Sequence, residues 1–253
     1  MSRRLEDKTI LVTGASRGIG AETARILSER GASVIAQYNT TQAGAEAATA
    51  AASERLLLRA DFADPTAPDA LWEEAVAWKG RIDAVVCNAA ILPSVAFDAP
   101  AAEWEETWQR ALRVNTLAPS TLLRRAVLHH LEHGGGIVVG ISSWAAQRGS
   151  ANPGLAAYSA SKAAFAAALK TAATAYAASG LLAYLIAPGV VDTEMSEAAA
   201  LAAGGAEAVS AKLAMREWVP PQDIAELVAV LCEGRIRHLT GATLDVNGAS
   251  YIR

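Results

Sequence analysis

The chain has 253 residues, of which 52% are hydrophobic and 19% charged, and its net charge at pH 7 is −4. These values allow one large buried core and exclude the broad basic surface that nucleic-acid binding needs. The two cysteines, Cys87 and Cys232, lie far apart without C-x-x-C spacing, so we expect neither a disulfide framework nor a zinc cluster. The amino-terminal residues lack the long uncharged stretch of a signal peptide, which favours a cytoplasmic location.

Seven short β-rich runs alternate with longer alanine-rich stretches that are typical of helices. The runs are Thr9–Val12, Ser33–Ala36, Leu56–Leu58, Ala84–Cys87, Gly136–Ile141, Ala183–Ile186 and Thr243–Val246. Their unbroken apolar character predicts an α/β fold, with a doubly wound parallel seven-stranded sheet and helices on both faces. No linker or repeat interrupts the order, so we expect a single domain over residues 1–253.

One uncharged stretch, Thr171–Val191, is long enough to cross a bilayer. Ala and Thr dominate its first half, and Ser179-Gly180 breaks it in the middle. The pattern therefore favours a helix end followed by a short buried strand, and we expect no membrane association.

A glycine-rich turn, Thr13-Gly14-Ala15-Ser16-Arg17-Gly18-Ile19-Gly20, follows the first strand and opens a helix that runs to about Arg30. Glycine lets such a turn tighten, and it lets backbone N–H groups approach phosphate oxygens at the start of the helix. The turn alone is also compatible with an ordinary connection between a strand and a helix.

The second strand leads into Gln37-Tyr38-Asn39-Thr40-Thr41, a run without an acidic residue. Enzymes that use NAD usually place a carboxylate here for the ribose 2′-hydroxyl, and that carboxylate would repel a 2′-phosphate. Arg17 and the neutral donors Asn39, Thr40 and Thr41 suit the phosphate instead, so we expect NADP rather than NAD. The alternative is that Arg17 points to solvent and the pocket accepts both cofactors.

Tyr158 and Lys162 lie four residues apart, on the same face of a predicted helix. A neighbouring ammonium group favours the phenolate, so Lys162 would bring the pKa of Tyr158 closer to the pH at which proton exchange is efficient. The fifth strand ends in Ser142 and Ser143, at the edge of the sheet where ligands bind in open α/β folds.

Together these motifs resemble the single-domain branch of the short-chain dehydrogenase/reductase family, whose members carry T-G-x-x-x-G-x-G and Y-x-x-x-K in these places. The resemblance spans nearly the whole chain and implies a Rossmann-type sheet. By this resemblance Ser143, rather than Ser142, holds the substrate carbonyl, and Ser142 is expected to bond nearby backbone. Ser143 and Tyr158 lie slightly further apart than is usual in the family. The loop Gln147–Leu155 would absorb the extra length at the surface, and the alternative is that it reshapes the substrate entrance.

The resemblance also implies roles for three further turns. Asp61-Phe62 would contact the adenine, and Asn88-Ala89-Ala90 would pack beside the ribose. Ala90 stands where the family has glycine, which raises the question of a positive φ there. Val191 and Thr193, after Pro188-Gly189, would contact the nicotinamide carboxamide.

Asn115 falls inside the predicted helix Ala101–Leu131, where asparagine is unfavourable. In related enzymes this residue binds a water that links the catalytic lysine to solvent. A plain helix kink or an exposed side chain is the alternative.

The catalytic residues expected on these grounds are Asn115, Ser143, Tyr158 and Lys162. The expected cofactor-binding residues are Gly14, Ser16, Arg17, Gly18, Ile19, Gly20, Tyr38, Asn39, Thr40, Asp61, Phe62, Asn88, Ala89, Tyr158, Lys162, Pro188, Gly189, Val191 and Thr193. The implied activity is NADP(H)-dependent interconversion of a carbonyl and a secondary alcohol, as in 3-oxoacyl-carrier-protein reductases. A sugar or polyol dehydrogenase using NAD(P) is the alternative, and a catalytically silent nucleotide-binding regulatory protein is the alternative from another class.

His129, His130 and His133 cluster near a helix end, where the partial negative charge favours cationic side chains, so we interpret them as a cap region and expect no metal.

The resemblance also implies a mobile substrate lid over about residues 193–219 and a homotetramer, or a homodimer. The helices expected to build that assembly are Ala101–Leu131 and Leu155–Ser179.

Overall fold

Seven parallel strands form the centre of the computed structural model, which describes residues 5–201 and 204–252. The strands are β1 Thr9–Val12, β2 Ser33–Tyr38, β3 Arg55–Arg59, β4 Ala84–Cys87, β5 Gly136–Ile141, β6 Leu181–Pro188 and β7 Thr243–Val246. Their order across the sheet is β3-β2-β1-β4-β5-β6-β7. The predicted doubly wound sheet is therefore confirmed; β2 and β3 are each two residues longer than predicted, and β6 is four residues longer.

Helices lie on both faces of this sheet. They are α1 Gly18–Glu29, α2 Gln42–Ala48, α3 Ala67–Lys79, α4 Ala101–Leu112, α5 Ala118–Glu132, α6 Ala145–Arg148, α7 Ala156–Tyr176, α8 Glu194–Leu201, α9 Ala206–Ser210 and α10 Pro221–Cys232. Of the predicted lid, residues 202 and 203 lie outside the described part of the chain.

The apolar side chains of the strands divide between two cores, one on each face. In β1, Ile10 and Val12 pack into the core that includes α1 and α10. Leu11, between them, packs into the opposite core with residues of α3, α5 and α7. Because successive strand residues point to opposite faces, a strand buried on both sides must be apolar throughout, which explains the unbroken runs.

The predicted helix Ala101–Leu131 is interrupted by a π-helical turn, Arg113–Leu117, which contains Asn115. Pro119 follows four residues after Asn115 and has no N–H to donate to its carbonyl, so a regular α-helical ladder cannot continue there. The hydroxyl of Thr116 donates to the carbonyl of Ser161 on α7 at 2.9 Å, which ties the turn to the neighbouring helix. The helix that the sequence predicted as continuous is therefore irregular at Asn115.

The uncharged stretch Thr171–Val191 comprises the end of α7, a 3₁₀ turn over Ala177–Ser179 and strand β6, as predicted. Tyr184 and Leu185 of β6 are fully buried within the cores. In the part of the chain that the structure describes, no helix is both long and apolar enough to cross a membrane.

The interpretation of the histidines as a cationic cap is wrong for two of the three. His129 and His130 are buried. Nε2 of His129 accepts a hydrogen bond from the N–H of Ile82, and Nε2 of His130 lies 3.1 Å from the carbonyl oxygen of Ile82. Burial lowers the pKa of both rings, that of His130 to about 4. Only His133 occupies the cap position. Among the described residues no group of His, Cys, Asp and Glu could hold a metal ion.

Candidate active site

A cavity of about 1020 Å³ runs along the carboxyl edge of the sheet, on both sides of the point between β1 and β4 where the winding of the chain reverses. Ligands bind at such reversal points in open α/β sheets, in pockets of roughly 300–1,000 Å³. The predicted site residues that line it are Gly14, Ser16, Arg17, Gly18, Ile19, Asn39, Thr40, Asp61, Phe62, Asn88, Ala89, Ser143, Tyr158, Lys162, Pro188, Gly189, Val191 and Thr193. Gly20, Tyr38 and Asn115 do not line it.

The glycine-rich turn needs its glycines for two different reasons. Gly14 and Gly18 have φ values of 67° and 54°, in the region that other residues rarely adopt. Gly20 has ordinary torsions, but a Cβ there would lie 2.0 Å from the carbonyl oxygen of Gly14. Its role is therefore to let α1 pack under the turn rather than to contact a ligand.

The first turn of α1 faces the cavity with its backbone donors. The first N–H groups of a helix have no partner within it, and the residue before α1, Arg17, provides no side-chain cap. These donors, with the positive end of the helix dipole, suit a pyrophosphate. The residues present at this side of the cavity therefore fit a dinucleotide.

Two side-chain amides hold the turn against the sheet. Gln37, at the end of β2, is buried; it accepts a hydrogen bond from the N–H of Gly14 at 2.8 Å and donates to the carbonyl of Ala60 at 2.8 Å. Asn88, after β4, is half-buried and donates to the carbonyl of Thr13 at 2.9 Å. Gln37 is not among the site residues predicted from the sequence, although a polar residue at the end of a buried apolar strand was a usable signal.

The region expected to hold a 2′-phosphate is lined by Arg17, Asn39 and Thr40. The guanidinium of Arg17 lies 3.3 Å from the carboxylate of Glu194 on α8, and both side chains are exposed. Tyr38 does not line the cavity, and its hydroxyl donates to Gln42. Neighbouring strand residues point to opposite faces, and Gln37, the residue before it, lines the cavity instead. A contact between Tyr38 and the cofactor stays a prediction.

Ser143 and Tyr158 meet at the other side of the cavity. Burial of the Tyr158 hydroxyl raises its pKa, and a hydrogen bond with Ser143 acts in the opposite direction. The Ser143 oxygen also accepts a bond from the N–H of Ala145 at 3.1 Å, at the start of α6. Ser142 differs from our expectation, since its buried hydroxyl has no hydrogen-bond partner among the described residues.

Lys162 lies one turn after Tyr158 on α7, and its ammonium donates to the carbonyl of Ile141 at 2.7 Å. Burial lowers the pKa of Lys162 to about 8. We expected Lys162 to bring down the pKa of Tyr158, yet in this structure burial dominates and the phenol's pKa is above its ordinary value. Desolvation disfavours the charged forms of both groups, so a lowering of the Tyr158 pKa by Lys162 has to overcome the effect of desolvation.

Asn115 is buried behind the cavity wall rather than exposed. Its side chain accepts from the N–H of Ile91 and donates to the carbonyl of Ile91, both at 2.9 Å. It also donates to the hydroxyl of Ser161 at 3.1 Å. The side chain thus joins the segment after β4 to α7, one residue before Lys162.

Two local expectations are settled by the backbone. Ala90 does not have a positive φ, since among described non-glycine residues only Arg216 and Ala249 do. The loop after Ser143 is partly structured, with α6 and a 3₁₀ turn over Pro153–Leu155, and residues 148–152 line the cavity. The extra length therefore shapes the cavity wall.

Comparison with known proteins agrees with this geometry. The family model described as enoyl-(acyl carrier protein) reductase matches residues 14–249. The chain is 33% identical to cis-4-hydroxycyclohexanecarboxylate dehydrogenase of Sinomonas cyclohexanicum, over 98% of each chain. It is 30% identical to a 3-oxoacyl-(acyl-carrier-protein) reductase of Staphylococcus aureus, over 97% of this chain and 98% of the relative. A short-chain dehydrogenase of Burkholderia cenocepacia, solved in complex with NADP, superposes with a TM-score of 0.87 at 29% identity, over 98% and 99% of the two chains.

The chain therefore belongs to the short-chain dehydrogenase/reductase family, as the sequence indicated. Members of this family are oxidoreductases that act on CH–OH or carbonyl groups with NAD(P).

Proposed function

We propose that this short-chain dehydrogenase/reductase interconverts a carbonyl compound and its secondary alcohol with NADP(H), using Tyr158 as the general acid and base. The observation that carries the proposal is the meeting of Ser143, Tyr158 and Lys162 at one side of a cavity whose other side fits a dinucleotide. A nicotinamide bound there would supply or accept the hydride. The remaining requirements, binding the oxygen and moving the proton, fall to the protein.

Ser143 and Tyr158 are suited to share one substrate oxygen. Both hydroxyls line the cavity, and Ser143 is close enough to Tyr158 to counter part of the rise in its pKa, so one carbonyl oxygen placed between them can accept from both. In the reductive direction Tyr158 donates its proton to that oxygen as negative charge develops there. The raised pKa of the buried phenol keeps it protonated and ready to act as an acid near neutral pH.

Lys162 and Asn115 would support the proton transfer without touching the substrate carbon. A lysine with a pKa near 8 can lose and regain a proton close to physiological pH, so Lys162 can stabilise the phenolate after transfer and bind the nicotinamide ribose. Asn115 holds α7 next to that lysine through Ser161. We propose that it also retains the water through which the lysine reaches solvent.

Arg17, Asn39 and Thr40 support a preference for NADP. The neighbourhood of β2 has no carboxylate for a ribose 2′-hydroxyl, and the exposed pair of Arg17 with Glu194 can exchange for a bond to a 2′-phosphate. The cofactor side would then include Asp61, Phe62, Asn88, Ala89, Pro188, Gly189, Val191 and Thr193, all at the cavity.

The substrate is a carbonyl compound or alcohol of the classes on which the relatives act. A 3-oxoacyl thioester and a cyclic hydroxy acid are the two that those relatives' names suggest.

We also propose that residues 193–219 act as a substrate lid, that the chain is one domain, and that it assembles as a homotetramer or homodimer through α4, α5 and α7. Exposed apolar side chains on those helices, such as Leu128 and Tyr176, support this assembly.

The experiment is a panel of ketones with NADPH, followed by absorbance at the nicotinamide band, with NADPH binding measured separately by fluorescence. Tyr158→Phe is expected to abolish turnover of every ketone that wild type reduces and to leave NADPH binding unchanged. Near-normal turnover by that variant would show that another group supplies the proton. NADPH binding without turnover of any ketone by wild type would favour a silent nucleotide-binding protein.

A further inference from the structure

A cationic side chain that the proposed chemistry does not use lies at the substrate side of the cavity. Arg148, the last residue of α6, lines the same cavity as Ser143 and Tyr158. It follows shortly after the strand end that carries Ser143, so its position relative to the reacting groups is set by one turn of helix. The question is what this guanidinium recognises.

Two aromatic rings hold the guanidinium in place. Its central carbon lies 4.3 Å from the centroid of the Trp144 ring and 5.8 Å from that of Tyr251. Arginine stacks on aromatic faces in this way while its N–H groups remain at the edge, free to donate. The stacking therefore fixes the group before any ligand binds, which lowers the entropy that binding would cost.

Arg148 has no carboxylate partner in the part of the chain that the structure describes. The ion pairs there involve other cations, including Arg17 with Glu194 and Arg125 with Asp69. Between His133 and Val191 the sequence contains no Asp or Glu at all. The segment that carries Ser143, Tyr158 and Arg148 thus provides cations and no compensating anion.

The opposite wall of this side of the cavity carries several apolar groups. Met195, Ala199 and Ala200 of α8 line it, together with Val209 of α9. Glu194 and Ser196 of α8 line the cavity too, and the carboxylate of Glu194 pairs with Arg17. A ligand between the two walls would contact aliphatic groups on one side and a fixed guanidinium on the other. A compact apolar body with one anionic group satisfies both.

We propose that Arg148 is a specificity-determining residue that binds a carboxylate on the substrate, so that the enzyme reduces oxo acids and oxidises hydroxy acids in preference to their uncharged analogues. This proposal rests on the proposed function. It assigns to Arg148 the recognition of charge and leaves the chemistry to Ser143 and Tyr158.

The test compares matched pairs of substrates that differ only in charge. The probes are 2-, 3- and 4-oxocyclohexanecarboxylate and the methyl ester of each, which vary the separation between carbonyl and carboxylate. Wild type is expected to favour at least one acid over its ester by about 10- to 100-fold in kcat/KM, as a charge-assisted pair allows. Arg148→Met is expected to remove this preference and to leave the ester's kcat/KM within about twofold.

Two variants separate charge recognition from a structural role. Arg148→Lys is expected to recover part of the preference, because it keeps the charge and loses the planar fork. Arg55→Gln removes an exposed arginine at the amino end of β3, remote from the cavity, and is expected to keep the full preference. Arg110, on α4, also lines the cavity. Equal losses for acid and ester in Arg148→Met, or a loss of preference in Arg110→Met instead, would overturn the assignment.

Binding measurements keep this test distinct from that of the proposed function. Cyclohexanecarboxylate and its carboxamide are titrated into wild type and Arg148→Met in the presence of NADP⁺, with calorimetric detection. Tighter binding of the carboxylate by wild type alone would support the assignment even if no ketone were reduced. Equal affinity of wild type for the two ligands and reduction of esters as fast as acids would overturn it while the proposed function stood.

Discussion

The two sides of the cavity are built on different principles. On the nucleotide side, Gln37 and Asn88 hold the glycine-rich turn through partly buried hydrogen bonds to its backbone. On the substrate side, α6, α8 and α9 present side chains such as Arg148 and Met195 that are largely exposed. A backbone site recognises what all dinucleotides share, whereas a side-chain wall can change its ligand with a single substitution. We therefore expect cofactor binding to depend on the nucleotide side and substrate choice to depend on the substrate side.

The largest expected effect is a loss of kcat when a proposed donor to the reacting oxygen is removed. Ser143→Ala removes a donor to that oxygen and is expected to lower kcat by about 10²- to 10³-fold, the usual loss for one such donor. Ser142→Ala is the matched control, since the Ser142 hydroxyl has no partner among the described residues. Single-turnover rates with saturating NADPH measure both variants. Equal losses in the two would contradict our choice of Ser143.

Removing the buried amide of Gln37 should lower both the stability of the fold and the affinity of the nucleotide side for NADPH. Gln37→Leu leaves the N–H of Gly14 and the carbonyl of Ala60 without partners, and we expect the free energy of unfolding to fall by about 2–4 kcal/mol. NADPH binding should weaken in the same variant. Gln42→Leu, an exposed position on α2, provides the control. Denaturant titration and fluorescence binding test this, and unchanged NADPH affinity in Gln37→Leu would contradict it.

The choice between NADPH and NADH should differ from the rest of the nucleotide side, because it would depend on side chains rather than on the backbone. Arg17→Ala is expected to raise the dissociation constant of NADPH by about tenfold, as for an exposed charge-assisted bond, and to leave that of NADH unchanged. Glu194→Gln, which frees Arg17 from its ion pair, should slightly tighten NADPH binding. Parallel titrations with the two cofactors measure this. A loss that is equal for NADPH and NADH would refute recognition of the 2′-phosphate by Arg17.

The smallest expected effect is on the stability of the whole fold rather than on either side of the cavity. His130 has a folded-state pKa of about 4, below its ordinary value, because it is buried. Its contribution to stability is therefore complete above about pH 6.5 and is lost as the pH falls towards 4. Between pH 7.5 and 5.5 we expect a loss of about 1 kcal/mol, reduced in His130→Gln. Denaturant midpoints across this range test it, and a midpoint that rises on acidification would contradict the assignment.

The sequence predicted the strands well because a strand buried on both faces must be apolar throughout, as Ile10, Leu11 and Val12 are. It also located Ser143, Tyr158 and Lys162 at one place, since helical spacing and strand ends fix their positions. It failed where long-range packing decides. The burial of the Asn115 side chain depends on bonds to Ile91 and Ser161, and the burial of His130 depends on the backbone of Ile82. No local pattern reveals these contacts.

The pH dependence of alcohol oxidation tests the role of Tyr158 most directly. In the proposed mechanism oxidation requires the phenolate, so kcat of wild type should rise with pH along a single basic limb, and Lys162→Met should move that limb to higher pH. Tyr158→Phe should leave only a small residual rate that does not depend on pH. If the same limb persisted in Tyr158→Phe, the proton would be carried by another group and the account would be wrong.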